Sequence, residues 1–184
     1  MKKELLLQVK NLKTYFHTES GLVKAVDDVS FDLYKGETLG IVGESGSGKS
    51  VSCLSAMRLI PMPPGEIAGG EIIYHDPEKG PIDLLKLSID DMRKYRGNKI
   101  SMIFQEPMTS LNPVFTCGYQ VVEVIQLHQK VSAEEAKQRT LALFEEVKLP
   151  NPQRIFDAYP HQLSGGQKQR VMIAMAMACK PSIL

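Results

Sequence analysis

Gly43 to Ser50 read GESGSGKS. The spacing is that of G-x-x-x-x-G-K-S, and it suits one task, the holding of phosphate oxygens. Gly43, Gly46 and Gly48 let the backbone take turns that a side chain would block. The N–H groups gathered this way converge on an anion, and a helix that starts in the loop adds its positive end. Lys49 supplies a point charge toward the β- and γ-phosphates of a nucleotide, and the Ser50 hydroxyl can ligate Mg²⁺. Glu44, Ser45, Ser47 and Val51 complete the expected contact set.

Such a loop needs a strand before it and a helix after it. The apolar run Thr38 to Val42 reads as a buried strand. Val51 to Ile60 has helical composition, and Pro61-Met62-Pro63-Pro64-Gly65 stops it. A glycine-rich turn with a chance lysine would not carry that context.

The chain has 184 residues, enough for one domain with a sizeable core. Its 22 basic and 21 acidic residues give a net charge of +1 and offer no basic face for nucleic acid. The three cysteines, Cys53, Cys117 and Cys179, are far apart and odd in number. They fit neither a disulfide framework nor a metal cluster, so a reducing compartment is expected. The apolar run in the N-terminal MKKELLLQVK is too short for a signal peptide, and no run approaches the roughly 20 residues that span a bilayer. A soluble chain is expected, joined to any membrane through a partner.

Alternation in Leu5–Leu7–Val9 and in Val29–Phe31–Leu33 predicts two strands, an antiparallel layer beside the phosphate-loop core. Gly70 to Tyr74 predicts a short strand, His75 to Gly80 a loop, Ile89 to Arg96 a short helix, and Ile100 to Phe104 a further strand ending on Gln105. Beyond it the composition turns helical. Val121, Val124, Ile125 and His128 mark one amphipathic helix, and Ser132 with Glu135 opens another as a capping box. Leu163-Ser164-Gly165-Gly166-Gln167 then precedes an apolar helix from Val171 to Cys179, and Ser182 starts another apolar strand. Lys168 and Arg170 read as a solvated helix face. Cys179 reads as a small core residue. His17, His75, His128 and His161 show no ligand spacing.

Three motifs thus stand in one order: the phosphate loop, a strand ending in Gln105, and LSGGQ at a helix start. In that order they resemble the nucleotide-binding domain of ABC transporters, over essentially all 184 residues. QEPMTSLNP at Gln105 to Pro113 and YPHQLSGGQKQRVMIAMA at Tyr159 to Ala176 are most similar to the ATPase subunits of di- and oligopeptide or nickel permeases. The resemblance implies an α/β fold: a P-loop NTPase core, an N-terminal antiparallel β subdomain and a helical insertion. The expected division is 1–106 for the β subdomain and core, 107–162 for the helical subdomain, and 163–184 for the signature motif and its helix.

It also implies ATP and Mg²⁺ as cofactors. Phe16 or its neighbour Tyr15 matches the aromatic that stacks on adenine, with the choice between them open. Gln105 matches the glutamine that contacts Mg²⁺ or the attacking water, and with Lys49 it forms the expected catalytic pair. Ser164, Gly165, Gly166 and Gln167 match the signature, which closes on the ATP of a second ATPase subunit, identical or paralogous. The expected partners are transmembrane permease subunits, with an extracytoplasmic binding protein acting indirectly. Met108 to Pro113 and the insertion match the surface that receives the membrane subunit. The expected location is the cytoplasmic face of the plasma membrane.

The family pattern places an Asp-Glu pair after four apolar residues, soon beyond the signature helix. The sequence stops at Leu184, before that pair, the dimer-contact loop and the switch histidine. With the general base beyond reach, the 184 residues are expected to hydrolyse ATP poorly, as a fragment of an ATP-hydrolysing product. Two other readings remain open at this stage. One is a soluble ABC-type ATPase acting on nucleic acid or ribosomes; the other is a non-catalytic nucleotide-binding product.

Overall fold

The computed structural model describes residues 3–105 and 110–184. It falls into two compact units, residues 1–92 and 93–184.

The first unit is built on a four-stranded antiparallel sheet in the order β2-β1-β3-β4. Its strands are β1 (Leu5–Thr18), β2 (Gly21–Tyr34), β3 (Gly65–Asp76) and β4 (Gly80–Asp83). The Leu-x-Leu-x-Val alternation of β1 extends further than its apolar residues suggested, because β1 is hydrogen-bonded on both sides. One face of the sheet buries Val9, Leu12, Thr14, Ile72 and Tyr74. Helix α1 (Lys49–Ala56) is tied to that face by a buried hydroxyl pair, Thr14 Oγ1 to Ser55 Oγ at 2.8 Å. The polar loop expected at His75 to Gly80 is a tight turn, Asp76 to Gly80, that leads straight into β4. The Asp76 carboxylate caps that turn by accepting from the N–H groups of Glu78 and Lys79.

Helix α2 (Ile89–Tyr95) forms where a short helix was expected, with Ser88 Oγ accepting from the Asp91 N–H and two aspartates in the first turn. The second unit is helical. Its helices are α3 (Cys117–His128), α4 (Ala133–Glu146), α5 (Pro152–Asp157) and α6 (Gly165–Met177). Ser132 caps α4 by accepting from the Glu135 N–H, as its sequence predicts. Pro152, with Asn151 as cap, starts α5, a proline in the first turn being compatible with a helix. Val121, Ile125, Ala136, Phe144, Ile155, Val171 and Ala174 form one dry core, so the signature helix shares its packing with the insertion. Among the described residues, no helix is long and apolar enough to cross a membrane.

Two expected strands differ. Thr38 to Val42 has no ladder partner among the described residues, and Val42 is 92% exposed. Ile100 to Phe104 forms no ladder among the described residues: Ile100 makes isolated parallel bridges to Arg96 and to Ile183, with the Ser101 N–H donating to the Ile183 carbonyl at 2.9 Å. Apolarity marks a segment for burial, but a strand exists only through the backbone beside it. The Ile100–Ile183 bridge is parallel, unlike every pairing in the first sheet.

Candidate functional site: a phosphate loop and a signature turn

The phosphate loop lies in the first unit. Gly46 and Gly48 have φ of 80° and 86°, the left-handed region that glycine occupies without strain. Gly48 has a second constraint. A Cβ there would stand 2.2 Å from the Ala25 carbonyl oxygen, in the bulged part of β2. Gly43 has an ordinary φ, but its Cβ position is taken by Ser47 Oγ at 2.7 Å.

Helix α1 starts at Lys49 with Gly48 as its cap residue and no side-chain acceptor on its first turn. Its leading N–H groups therefore lack intrahelical partners and point out of the loop, which is the arrangement an anion fills. The Lys49 ammonium folds back over the loop and donates to the carbonyls of Gly43 (2.7 Å) and Glu44 (2.6 Å) and to Ser47 Oγ (3.2 Å). Ser50, next on the helix, is exposed, and Val51 is half-buried. A hydroxyl oxygen beside an uncapped helix end and a lysine suits a hard cation that arrives with phosphate.

The two candidate aromatics lie on opposite faces of β1. The β1–β3 register runs without a break through Thr14, Tyr15 and Phe16, so strand alternation holds there. Phe16 shares the face of Thr14, which carries α1, and its ring edge lies 3.2 Å from where a Gly65 Cβ would be. Tyr15 points the other way. Its hydroxyl donates to Asp27 Oδ1 at 2.6 Å, and the Lys24 ammonium lies 5.4 Å from its ring centroid. The hydrogen bond to Asp27 raises the Tyr15 pKa and lowers that of Asp27.

In the second unit, Gln105 is exposed. Glu106 to Thr109 lie outside the described residues, and with them the first two residues of the expected docking stretch, Met108 to Pro113. The signature turn is well defined. Ser164 is the N-cap of α6, its Oγ accepting from the Gln167 N–H at 3.4 Å. Gln167 reciprocates: its Oε1 accepts from the Ser164 N–H at 2.9 Å. The S-x-x-Q spacing could have announced this capping box; at Ser132 the same kind of spacing yields only the hydroxyl half, the Glu135 carboxylate bonding Arg139 instead. Gly165 and Gly166 have no positive φ, and among the described residues nothing comes within 4 Å of a Cβ built at either.

Of the expected solvated face, Arg170 is exposed as read, but Lys168 is not. Lys168 stands three and four residues before Val171 and Met172, on their stripe, and only 9% of it is exposed. Its charge lies near Cys117, whose thiol burial pushes up to about 11. Arg170 is exposed, but its guanidinium donates to the carbonyls of Val147 and Lys148, both at 2.8 Å. It thus caps the C-terminus of α4, a role no sequence pattern signalled. Cys179 is buried, in keeping with a small core residue. Of the histidines, His17 bonds Glu66 at the surface, His161 stacks on Tyr159, and His128 is half-buried with its pKa lowered by burial.

Comparison with known proteins agrees with this geometry. The ABC transporter family pattern matches residues 26–184. A probable peptide ABC transporter ATP-binding protein, y4tR of Sinorhizobium fredii, is 49% identical over 183 residues, covering 100% of this chain and 53% of its own length. The oligopeptide transport ATP-binding protein OppD of Bacillus subtilis is 50% identical over 179 residues, 97% of this chain and 49% of its own length. The chain therefore spans about half the length of these curated relatives. Among solved structures, a dimeric bacterial ABC transporter cassette, MJ0796, superposes with a TM-score of 0.82 at 29% identity, covering 96% of this chain and 71% of that one. The same cassette in a post-hydrolysis state bound to ADP and Pi gives a TM-score of 0.81. The chain belongs to the ABC transporter family.

Proposed function

We propose that this chain is the ATP-binding, energy-coupling part of an importer for di- or oligopeptides. One observation carries the nucleotide half of the reading. The phosphate loop is imposed by the fold, through two left-handed glycines and the Ala25 carbonyl, yet it opens onto a helix end that no side chain caps. The relatives named above, peptide-transport proteins at about half identity, support the substrate class.

In this reading the α1 N–H groups hold the β-phosphate. Lys49 exchanges its carbonyl partners for β- and γ-oxygens as these enter. Ser50 would hold Mg²⁺, which supplies charge neutralisation on the phosphates when bound. Phe16 is the adenine platform, because it lies on the α1 face while Tyr15 is held on the other by Asp27. The signature serves the ATP of a second ATPase subunit. The free space over Gly165 and Gly166 supports this, since the fold itself does not require glycine at either position. The permease subunits hold the chain at the cytoplasmic face of the membrane and receive the motion that follows loss of the γ-phosphate.

Calorimetric titration of the intact protein with ATP and Mg²⁺ tests the nucleotide half. Saturable binding is expected, weakened at least about tenfold in Lys49→Ala, a difference of ~1.4 kcal/mol. Equal affinities would refute the assignment of the loop.

A further inference from the structure

The approach to the signature is closed by two successive glutamine brackets. Upstream, Gln162 Oε1 accepts from the Tyr159 N–H at 2.8 Å, over a 3-10 turn from Pro160 to Gln162. Leu163 follows, buried in the helical core. Then Gln167 Oε1 accepts from the Ser164 N–H at 2.9 Å. Each glutamine spends its side-chain carbonyl on the backbone three residues before it.

The second bracket determines which groups of the α6 N-terminus stay open. The Ser164 and Gln167 N–H groups are both consumed within the box. The Lys168 N–H begins the helical ladder, donating to the Ser164 carbonyl at 2.9 Å. What remains is the pair of N–H groups on Gly165 and Gly166, together with the Ser164 hydroxyl proton. That set matches the acceptor-only surface of a phosphate oxyanion. A glutamate at 167 could close the same box, since capping boxes accept either residue, but it would put a carboxylate beside the incoming anion. A neutral amide closes it without that repulsion.

We propose that Gln167 and Gln162 are positioning residues for the signature, acting on its backbone rather than on the nucleotide. This rests on the reading of the signature as a site for the partner subunit's ATP. Gln167 presets the two glycine N–H groups. Gln162 fixes the turn that delivers Leu163 to the core and Ser164 to the helix start.

The test has two readouts. The first is amide hydrogen exchange in the intact, nucleotide-free protein. Exchange at Ser164 should quicken about fivefold in Gln167→Ala, the worth of one ~1 kcal/mol hydrogen bond, and should stay near the parent rate in Gln167→Glu. Exchange at Tyr159 should quicken likewise in Gln162→Ala and not in Gln162→Glu. Unchanged exchange in the alanine variants would overturn the proposal, whatever the nucleotide does.

The second readout is ATP turnover by the assembled transporter. Gln162→Ala should raise KM for ATP with a smaller effect on kcat, and Gln162→Glu should restore it, because Gln162 lies outside the signature and its carbonyl alone is needed. Equal KM values for Gln162→Ala and the parent, or equal loss in Gln162→Ala and Gln162→Glu, would overturn the link from bracket to ATP. Absence of turnover above a Lys49→Ala control would instead refute the nucleotide reading, with the exchange data still deciding for or against the brackets.

Discussion

The Ala25 carbonyl oxygen stands 2.2 Å from the point where a Cβ would sit on Gly48. The bulge in β2 and the start of α1 are thus pressed together with room only for hydrogen between them. Gly48→Ala combines a left-handed backbone with a backbone clash. We expect it to cost about 2–4 kcal/mol of stability and to abolish nucleotide binding. Urea unfolding and ATP titration of the same sample check both; a variant as stable and as tightly binding as the parent would contradict the packing.

Phe16 and Tyr15 make opposite predictions. Phe16→Ala should weaken ATP binding by about 1–3 kcal/mol, the range for base stacking, while leaving affinity for inorganic triphosphate unchanged. Tyr15→Phe keeps a ring and loses only the bond to Asp27. Its effect on ATP affinity should be small, and its spectrophotometric titration should lack one phenol that ionises above the ordinary range. A larger loss of ATP affinity in Tyr15→Phe than in Phe16→Ala would reverse the assignment.

Arg170 ties the signature helix to the end of α4. Arg170→Met keeps the aliphatic stem and removes both donors. The loss should be about 1 kcal/mol, modest because the guanidinium is exposed, and it should appear as a lower denaturation midpoint with unchanged slope. Arg170→Lys should recover part of it, since an ammonium cannot reach two carbonyls in the planar fork. Identical midpoints for all three proteins would remove the cap from the account.

Cys117 predicts an alkaline weakness. Its thiol is fully buried, and burial raises its pKa from 9.0 to about 11. Between those values the unfolded chain has released a proton that the folded chain still holds. Stability is therefore fully present below pH 9 and falls as pH rises toward about 11. Cys117→Ala should start from lower stability but show a flatter decline over that interval. A slope unchanged by the substitution would assign the decline to other groups.

Local signals in the sequence transferred well. The alternation of β1, the Ser132 cap, the short helix α2 and the glycine loop each depend on residues a few positions apart. Readings that depend on distant backbone did not transfer. Leu39, Ile41 and Val42 are apolar enough for a buried strand, yet all three are exposed without a ladder partner among the described residues. Beyond its local bridge to Arg96, Ile100 meets Ile183, 83 positions on by numbering (183 − 100), which no local window senses. Lys168 shows the same limit in a side chain: its charge suggested solvent, while helical spacing placed it on the buried stripe. Arg170 is exposed as its charge suggested, but its bonds to the distant end of α4 were not legible. At the site, the phosphate loop and the signature were legible as motifs. The S-x-x-Q spacing also encodes the bond from the Ser164 N–H to the Gln167 side chain.

The central claim is that ATP held by this loop drives import of peptides. Its most direct test is uptake of a labelled di- or tripeptide by cells whose only copy of the protein carries Lys49→Ala, with protein level and membrane association matched to the parent. The account predicts that uptake falls to the level of a deletion strain. Uptake that persists at the parental rate would contradict it.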